Sequence, residues 1–191
     1  MRIIGGTLRH RKIEMTNLET TRETQDSVRE AIYNMIGPYF DGGVCLDLFA
    51  GSGAMAIEAY SRGMNKIYLN DMNKKALDIC MLNCKSLGIN DACFSNKDYI
   101  DFFKTNDVKF DLIILDPPYK MDNICSIMDV CYDSLSDKGL IVFEMKKESI
   151  YPENYKDLII YKNKTYGIKR VVVYKRWFYG LWRIFFNRRN C

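Results

Sequence analysis

Two stretches carry residues that could do chemistry together. Asp116-Pro117-Pro118-Tyr119 ends an apolar run, Phe110–Leu115. The exocyclic amine of a guanine or adenine is a poor nucleophile, because its lone pair is delocalised into the ring. Acceptors aimed at its two N–H bonds orient it and favour pyramidalisation, so that the lone pair points at an electrophile. Asp116 supplies one acceptor and the Pro117 carbonyl a second. The two prolines stiffen the loop, and Tyr119 offers a face for stacking. Positioned transfer of this kind needs neither a metal nor a covalent nucleophile. The second stretch, Val44–Gly53, is an apolar run carrying Asp47 that breaks at Gly51-Ser52-Gly53 and feeds a helix from Ala54. Glycines let the backbone approach a ligand, and a helix N-terminus presents free N–H groups to it, as in nucleotide cradles. Either stretch alone could be structural, a surface turn or a ligand-free strand-to-helix turn.

The surrounding pattern gives both a common frame. Met1–Glu14 reads as strand, Gly5-Gly6 turn, strand, and Thr20–Met35 as a helix with Thr24 as N-cap, stopped by Gly37-Pro38. Lys66–Asp71 is a second strand ending in an acid, 20 residues after Gly51, where dinucleotide-type folds place the carboxylate that takes ribose hydroxyls. Asn73 caps a helix to Leu87, with Gly88 past its end. Ala92–Ser95, Phe110–Leu115 and Leu140–Glu144 are further strands, and Ile124–Leu135 is a helix followed by a turn at Ser136–Gly139. Leu158–Tyr161 and Lys169–Tyr174, joined through Asn163–Gly167 without a helix, should pair antiparallel. Strands alternating with helices build a parallel sheet. The expectation is a single α/β domain over residues 1–176: a mostly parallel seven-stranded sheet closed by an antiparallel C-terminal hairpin, with a small N-terminal hairpin and helix as an extension.

Composition narrows the class. The 191 residues are 48% hydrophobic, enough for one sizeable core. The seven cysteines sit largely in apolar strand or helix patterns and read as reduced thiols of a cytoplasmic protein. No Cys-x-x-Cys pair occurs and His10 is the sole histidine, which disfavours zinc, and no apolar run is long enough to span a membrane. The net charge of +4 is segregated. Residues 1–13 carry four basic and no acidic residues, 158–191 carry nine and none, and the middle holds all 24 acids. Basic ends on an acidic body suggest a polyanionic partner, against the plainer reading of ordinary solvated charge. Trp177–Cys191, rich in aromatics with three arginines, stands apart as a basic aromatic tail that packs on the body, trails free or touches RNA.

Taken together, Asp47-Leu-Phe-Ala-Gly-Ser-Gly53 and the strand order resemble the class I, Rossmann-like S-adenosylmethionine-dependent methyltransferases, and Asp-Pro-Pro-Tyr resembles their amino-group branch. Three stretches are similar to the bacterial small-subunit ribosomal RNA (guanine-N2)-methyltransferase family: Met1-Arg-Ile-Ile-Gly-Gly6, Thr21-Arg-Glu-Thr-Gln-Asp-Ser-Val-Arg-Glu30 and the central motif. The likeness spans about residues 1–175, with Glu23 standing where that family has proline. It implies a cofactor, S-adenosyl-L-methionine, leaving as S-adenosyl-L-homocysteine. Its cradle would be Asp47, Phe49, Ala50, Gly51, Ser52 and Gly53, with Asp71 and Met72 at the ribose, Asp98 at the adenine amine and Tyr99 beside the ring. Asp116, Pro117 and Tyr119 would hold the target guanine. The Arg22–Arg29 segment would cover the cofactor and help form the substrate entrance. Ribosomal RNA or the small ribosomal subunit would be the partner, with the protein acting as a monomer; the segregated charge, apart from the resemblance, makes Arg2, Arg9, Arg11 and Lys12 the residues expected to meet its phosphates. A DNA adenine-N6 methyltransferase uses the same tetrapeptide but carries a separate sequence-reading region, and none is visible. A protein-glutamine methyltransferase would more often have Asn at 116. A non-catalytic RNA-binding module needs neither motif.

Overall fold

The strand Val44–Asp47 (β1) lies at the centre of the computed structural model, which describes residues 1–16, 24–118, 121 and 123–177. Lys66–Asn70 (β2) and Phe110–Leu115 (β4) flank it, both parallel. Ala92–Ser95 (β3) lies beyond β2, and Leu135–Lys146 (β5) beyond β4, again parallel. Lys169–Arg176 (β8), Leu158–Tyr166 (β7) and Asn154–Tyr155 (β6) then add antiparallel, for an eight-stranded order β3-β2-β1-β4-β5-β8-β7-β6. The expected seven strands are present, and the two-residue β6 is the eighth.

Helices cover both faces. Asp26–Ile36 (α1), Ala54–Ser61 (α2) and Lys74–Leu87 (α3) share one apolar layer with Ile3 and Ile13 of the N-terminal segment and with Leu112, Ile114 and Val142 of the sheet. Tyr99–Lys104 (α4) and Ile124–Tyr132 (α5) cover the other, over Leu46, Phe110, Phe143 and Tyr174. The alternation along β4 and β5 sorts their residues between the two layers, as a strand buried on both faces requires. Cys45, Cys80, Cys84 and Cys131 are buried free thiols, and burial pushes Cys45, Cys80 and Cys131 above the ordinary thiol range, with Cys84 the leading cause for Cys80.

Four expectations change. The first helix begins at Asp26, and Thr24 does not cap it, because its hydroxyl is spent on distant carboxyls. The N-terminal strand–turn–strand reduces to one antiparallel bridge, Arg2 with Lys12. The N–H groups of Ile4, Gly5 and Leu8 turn instead to side chains of α2. The helix expected to reach Leu135 stops at Tyr132, and the expected turn at Ser136–Gly139 lies inside β5. There Leu135 opposes Phe110 while Leu140 opposes Leu112, so the intervening residues bulge. Gly139 makes this possible, since a Cβ there would sit 2.9 Å from the Phe110 carbonyl oxygen. Finally, β7 and β8 run longer than expected, and the turn between them contracts around Gly167 at φ +57°.

Candidate active site

Because β1 pairs with β2 on one side and β4 on the other, the residues that follow these three strands meet at one end of the sheet. That end is the ligand crevice of open α/β sheets. Leaving β1, the chain is pinned by backbone bonds from Leu48 N–H to the Ile114 carbonyl and from Ala50 N–H to the Asn70 carbonyl. The turn closes from Gly53 N–H to the Ala50 carbonyl, with Gly51 at φ +54° and Gly53 at φ +80°. At Gly53 a Cβ would lie 2.5 Å from Cys80 Sγ, so α3 packs against the turn where no side chain fits. Buried Asp47 accepts from the Ala56 N–H at 3.3 Å and braces the turn on α2. Asn83 of α3 donates to the Ser52 carbonyl at 2.9 Å.

Asp71 closes the other wall. One oxygen accepts from Gly51 N–H at 2.9 Å and the other from Asn73 N–H at 2.8 Å. Partial burial raises its pKa from the ordinary carboxylate value, opposed by those two N–H groups. A carboxylate has about four lone-pair sites, so capacity for two hydroxyls remains. Asn70 reinforces the wall, its amide donating to the carbonyls of Leu48 and Lys97. Met72 stands beside Asp71 with 69% of its surface exposed. A glycine turn without room for side chains and a carboxylate with spare acceptors fit a nucleoside-type cofactor. Asp98 and Tyr99 are placed differently: Asp98 caps α4 through Ile100 N–H, and little of the Tyr99 ring is accessible, since it packs 6.1 Å from Phe49. Asp71→Ala should therefore weaken cofactor binding by the loss of charge-assisted bonds, each worth about 1.5–3 kcal/mol. Calorimetry with S-adenosylmethionine checks this, and unchanged affinity in the folded variant takes Asp71 out of the site.

At the end of β4, Asp116 lies beside Glu144 of β5, because Leu115 pairs with Phe143. The Thr24 hydroxyl reaches both, 3.3 Å from Asp116 Oδ2 and 3.1 Å from Glu144 Oε2. Glu144 also forms an ion pair with Lys169 of β8. Burial, followed by the Glu144 carboxylate, pushes Asp116 well above the ordinary carboxylate range, against the pull of Lys169 and the Thr24 hydroxyl. Fully buried Arg29 donates to the Thr24 carbonyl and is tied to Asp26 and Glu58. Pro117 is buried, and the Pro118 carbonyl accepts from Met121 N–H at 2.8 Å. Tyr119 and Arg22 lie outside the described residues. Thr24 belongs to the Arg22–Arg29 segment expected at the substrate entrance, whereas Glu144 and Lys169 are not among the site residues expected from sequence. For Glu144 a signal existed: like Asp116, it is an acid at the end of an apolar strand.

The basic ends are spread out. Arg2 pairs with Asp26, while Arg9 and Lys12 are exposed. Arg11 donates to the Ser86 carbonyl, about 18 Å along α3 from its Asp71 end at 1.5 Å per residue. On β7 and β8, the Lys162 and Lys175 ammonium groups lie 5.1 and 4.4 Å from the Tyr161 ring centroid, and Lys164 lies 5.5 Å from that of Tyr166.

Among the described residues no helix is long and apolar enough to cross a membrane. The family model described as conserved hypothetical protein 95 matches residues 1–175. YlbH of Bacillus subtilis is 38% identical over 181 residues, covering 90% of this chain and 96% of its own. The ribosomal RNA small subunit methyltransferase D of Haemophilus influenzae is 35% identical over 177 residues, covering 88% and 90%. The solved structure of yhhF from Escherichia coli superposes with a TM-score of 0.82 at 28% identity, over 92% of this chain and 97% of that one. The family match over residues 1–175 and these relatives agree: the chain belongs to the conserved hypothetical protein 95 family, the family of the ribosomal RNA small subunit methyltransferases D.

Proposed function

We propose that this rRNA methyltransferase transfers a methyl group from S-adenosyl-L-methionine to the N2 amine of a guanine in small-subunit ribosomal RNA, acting as a monomer. One observation carries the reading: Asp71 and Asp116 end the two strands on either side of β1, about 10 Å apart at the usual strand spacing, with the glycine turn between them. The cofactor supplies an electrophilic methyl group when bound. The chain's own residues do the rest. Asp71, Gly51 and Gly53 hold the cofactor, and Asp116 and the Pro117 carbonyl accept from the amine so that its lone pair is free to attack. Tyr119 supports the base, which leaves its stack to reach the crevice.

Tritium transfer from S-adenosylmethionine to RNA, DNA and ribosomal particles, with nucleoside analysis of the product, tests this. N2-methylguanosine in RNA is the expected product. N6-methyladenine in DNA, or labelled protein, would replace the reading.

The RNA contacts follow from charge. The crevice is walled by carboxyls, so phosphates must be met elsewhere, and exposed Arg9, Arg11 and Lys12 lie on the N-terminal segment, which bonds to α2 through Leu8 and to α3 through Arg11. Neutralising the three should weaken RNA binding and flatten its salt dependence by roughly 0.7–0.9 per lost phosphate contact, with cofactor affinity unchanged. Affinity against salt concentration is the measurement. Parallel lines would move the contact to the lysines and tyrosines of β7 and β8.

A further inference from the structure

A hydroxyl has one hydrogen to give and two lone pairs to receive with. Thr24 Oγ1 is within hydrogen-bond distance of Asp116 Oδ2 and of Glu144 Oε2 at once. It can donate to only one of them, so the other contact closes only when that carboxyl carries a proton and donates to Thr24. Two ionised carboxylates around a single buried hydroxyl would also repel. The Lys169 ammonium, paired with the remaining Glu144 oxygen, marks Glu144 as the charged member. On that reading the proton belongs to Asp116.

Resting on the amino-methyl transfer proposed above, we propose that Asp116 is held as a neutral acid donating from Oδ2 to Thr24, that Thr24 donates to Glu144, and that this chain carries away the proton released by the methylated amine. The raised pKa of Asp116 supports it, its causes being burial, Glu144 and Asp47, with Lys169 and Thr24 opposing. Those groups face Asp116 from β5, β1, β8 and the segment before α1, and Arg29 of α1 fixes Thr24 by its carbonyl.

Two properties follow. Oδ1 of a neutral Asp116 is an uncharged carbonyl acceptor, of the kind an asparagine amide would present. Unlike an amide, the acid can also pass a proton on. As the amine lone pair forms the new N–C bond, the methyl–sulfur bond breaks and its electron pair stays on sulfur. The nitrogen is left positively charged. It sheds one N–H proton to Asp116 Oδ1, the Oδ2 proton moves to Thr24, and the Thr24 hydrogen moves to Glu144 Oε2. The N–H electron pair returns to nitrogen, and the proton rests on Glu144 beside Lys169.

Two measurements test this. Infrared spectra of wild type should contain a protonated-carboxyl carbonyl band that Asp116→Asn removes and Thr24→Val shifts. Single-turnover methyl transfer to RNA should fall about tenfold or more in Thr24→Val. RNA and cofactor affinities should be kept, and Thr24→Ser should restore the rate. The residual rate of Thr24→Val should climb with pH as solvent takes the proton, where wild type is flatter. Absence of the band, a wild-type rate in Thr24→Val, or equal loss in the Val and Ser variants overturns the relay. If wild type methylates no RNA amine, the parent reading fails instead, and the infrared band still decides the state of Asp116.

Discussion

Asp116→Ala should cut methyl transfer to RNA by about a hundredfold or more, the scale seen when a positioned acid–base group is removed. In the proposed mechanism the substitution takes away the acceptor that orients the amine and the group that receives its proton, while Asp71 and the glycine turn, the proposed cofactor cradle, stay intact. Cofactor affinity should hold. Asp116→Asn keeps the shape and an acceptor oxygen but cannot pass a proton, so its loss should be smaller, at least about tenfold, or 1.4 kcal/mol of barrier. Turnover of both variants under saturating cofactor is the measurement; a wild-type rate in Asp116→Ala would end the positioned-amine mechanism, and one in Asp116→Asn would end the proton relay.

The same residue makes a prediction about stability. Its folded pKa is raised above the unfolded value, so the native state binds the extra proton in the window between them. Wild-type stability therefore falls as pH rises from the unfolded toward the folded pKa, and the deficit persists above it. Asp116→Asn removes that deficit, so it should be more stable than wild type at neutral pH. The advantage should fade as pH drops toward the ordinary carboxylate range. Melting curves against pH read this directly.

Glu58→Ala should be the most damaging substitution for folding. Glu58 is fully buried in α2 and holds four partners: Ile4 N–H at 2.9 Å, Gly5 N–H at 2.8 Å, Arg62 at 2.8 Å and Arg29 at 3.5 Å. Alanine leaves the Arg62 Nε–H and two backbone N–H groups without their acceptor, and it takes the carboxylate from beside buried Arg29, which keeps only Asp26 as a charged partner among the described residues. Breaking a buried ion pair on one side costs about 3–5 kcal/mol, a large share of the roughly 5–15 kcal/mol that holds a domain folded. Glu58→Gln, which keeps an acceptor but not the charge, should fall between. Urea unfolding measures both, and a loss under about 1 kcal/mol in Glu58→Ala would show that the clasp adds little. Because Arg29 ties this clasp to Thr24, Glu58→Ala should also slow turnover.

These two residues show where sequence stops being legible. Asp47, Gly51–Gly53, Asp71 and Asp116 are marked by local signals, since each sits where an apolar strand ends in an acid or a glycine. The mostly parallel sheet and its antiparallel closing hairpin, expected from the alternation of strands and helices, are the ones observed. Thr24 has a local signal too, but a misleading one. A threonine before a helix reads as its cap, whether its hydroxyl turns to its own backbone or to a carboxyl 92 residues on. Glu58 reads as a polar residue in a short helix. Its worth comes from Ile4 and Gly5, 54 and 53 residues back, and no pattern within the helix records them. Ser136–Gly139 has the composition of a turn, and the partner strand overrode it: β4 pairs with residues on both sides, so the segment is drawn through the sheet as a bulge. Asp98 is the reverse case: an acid after a short strand is common as a helix cap, and capping accounts for the geometry observed.

The short β6 has a bearing on how the protein is handled. It pairs only with Leu158 and Ile159 of β7, so among the described residues β7 from Ile160 onward is a sheet edge. An open edge is a template on which a second chain can add a strand, and lysines along it discourage that addition. Lys162 and Lys164 sit on this stretch with no acid anywhere in residues 158–177. Replacing them with neutral residues to map RNA contacts would also remove the repulsion that keeps two edges apart. Such variants should show concentration-dependent association, so a loss of RNA binding in them must be read alongside light scattering at the same concentration.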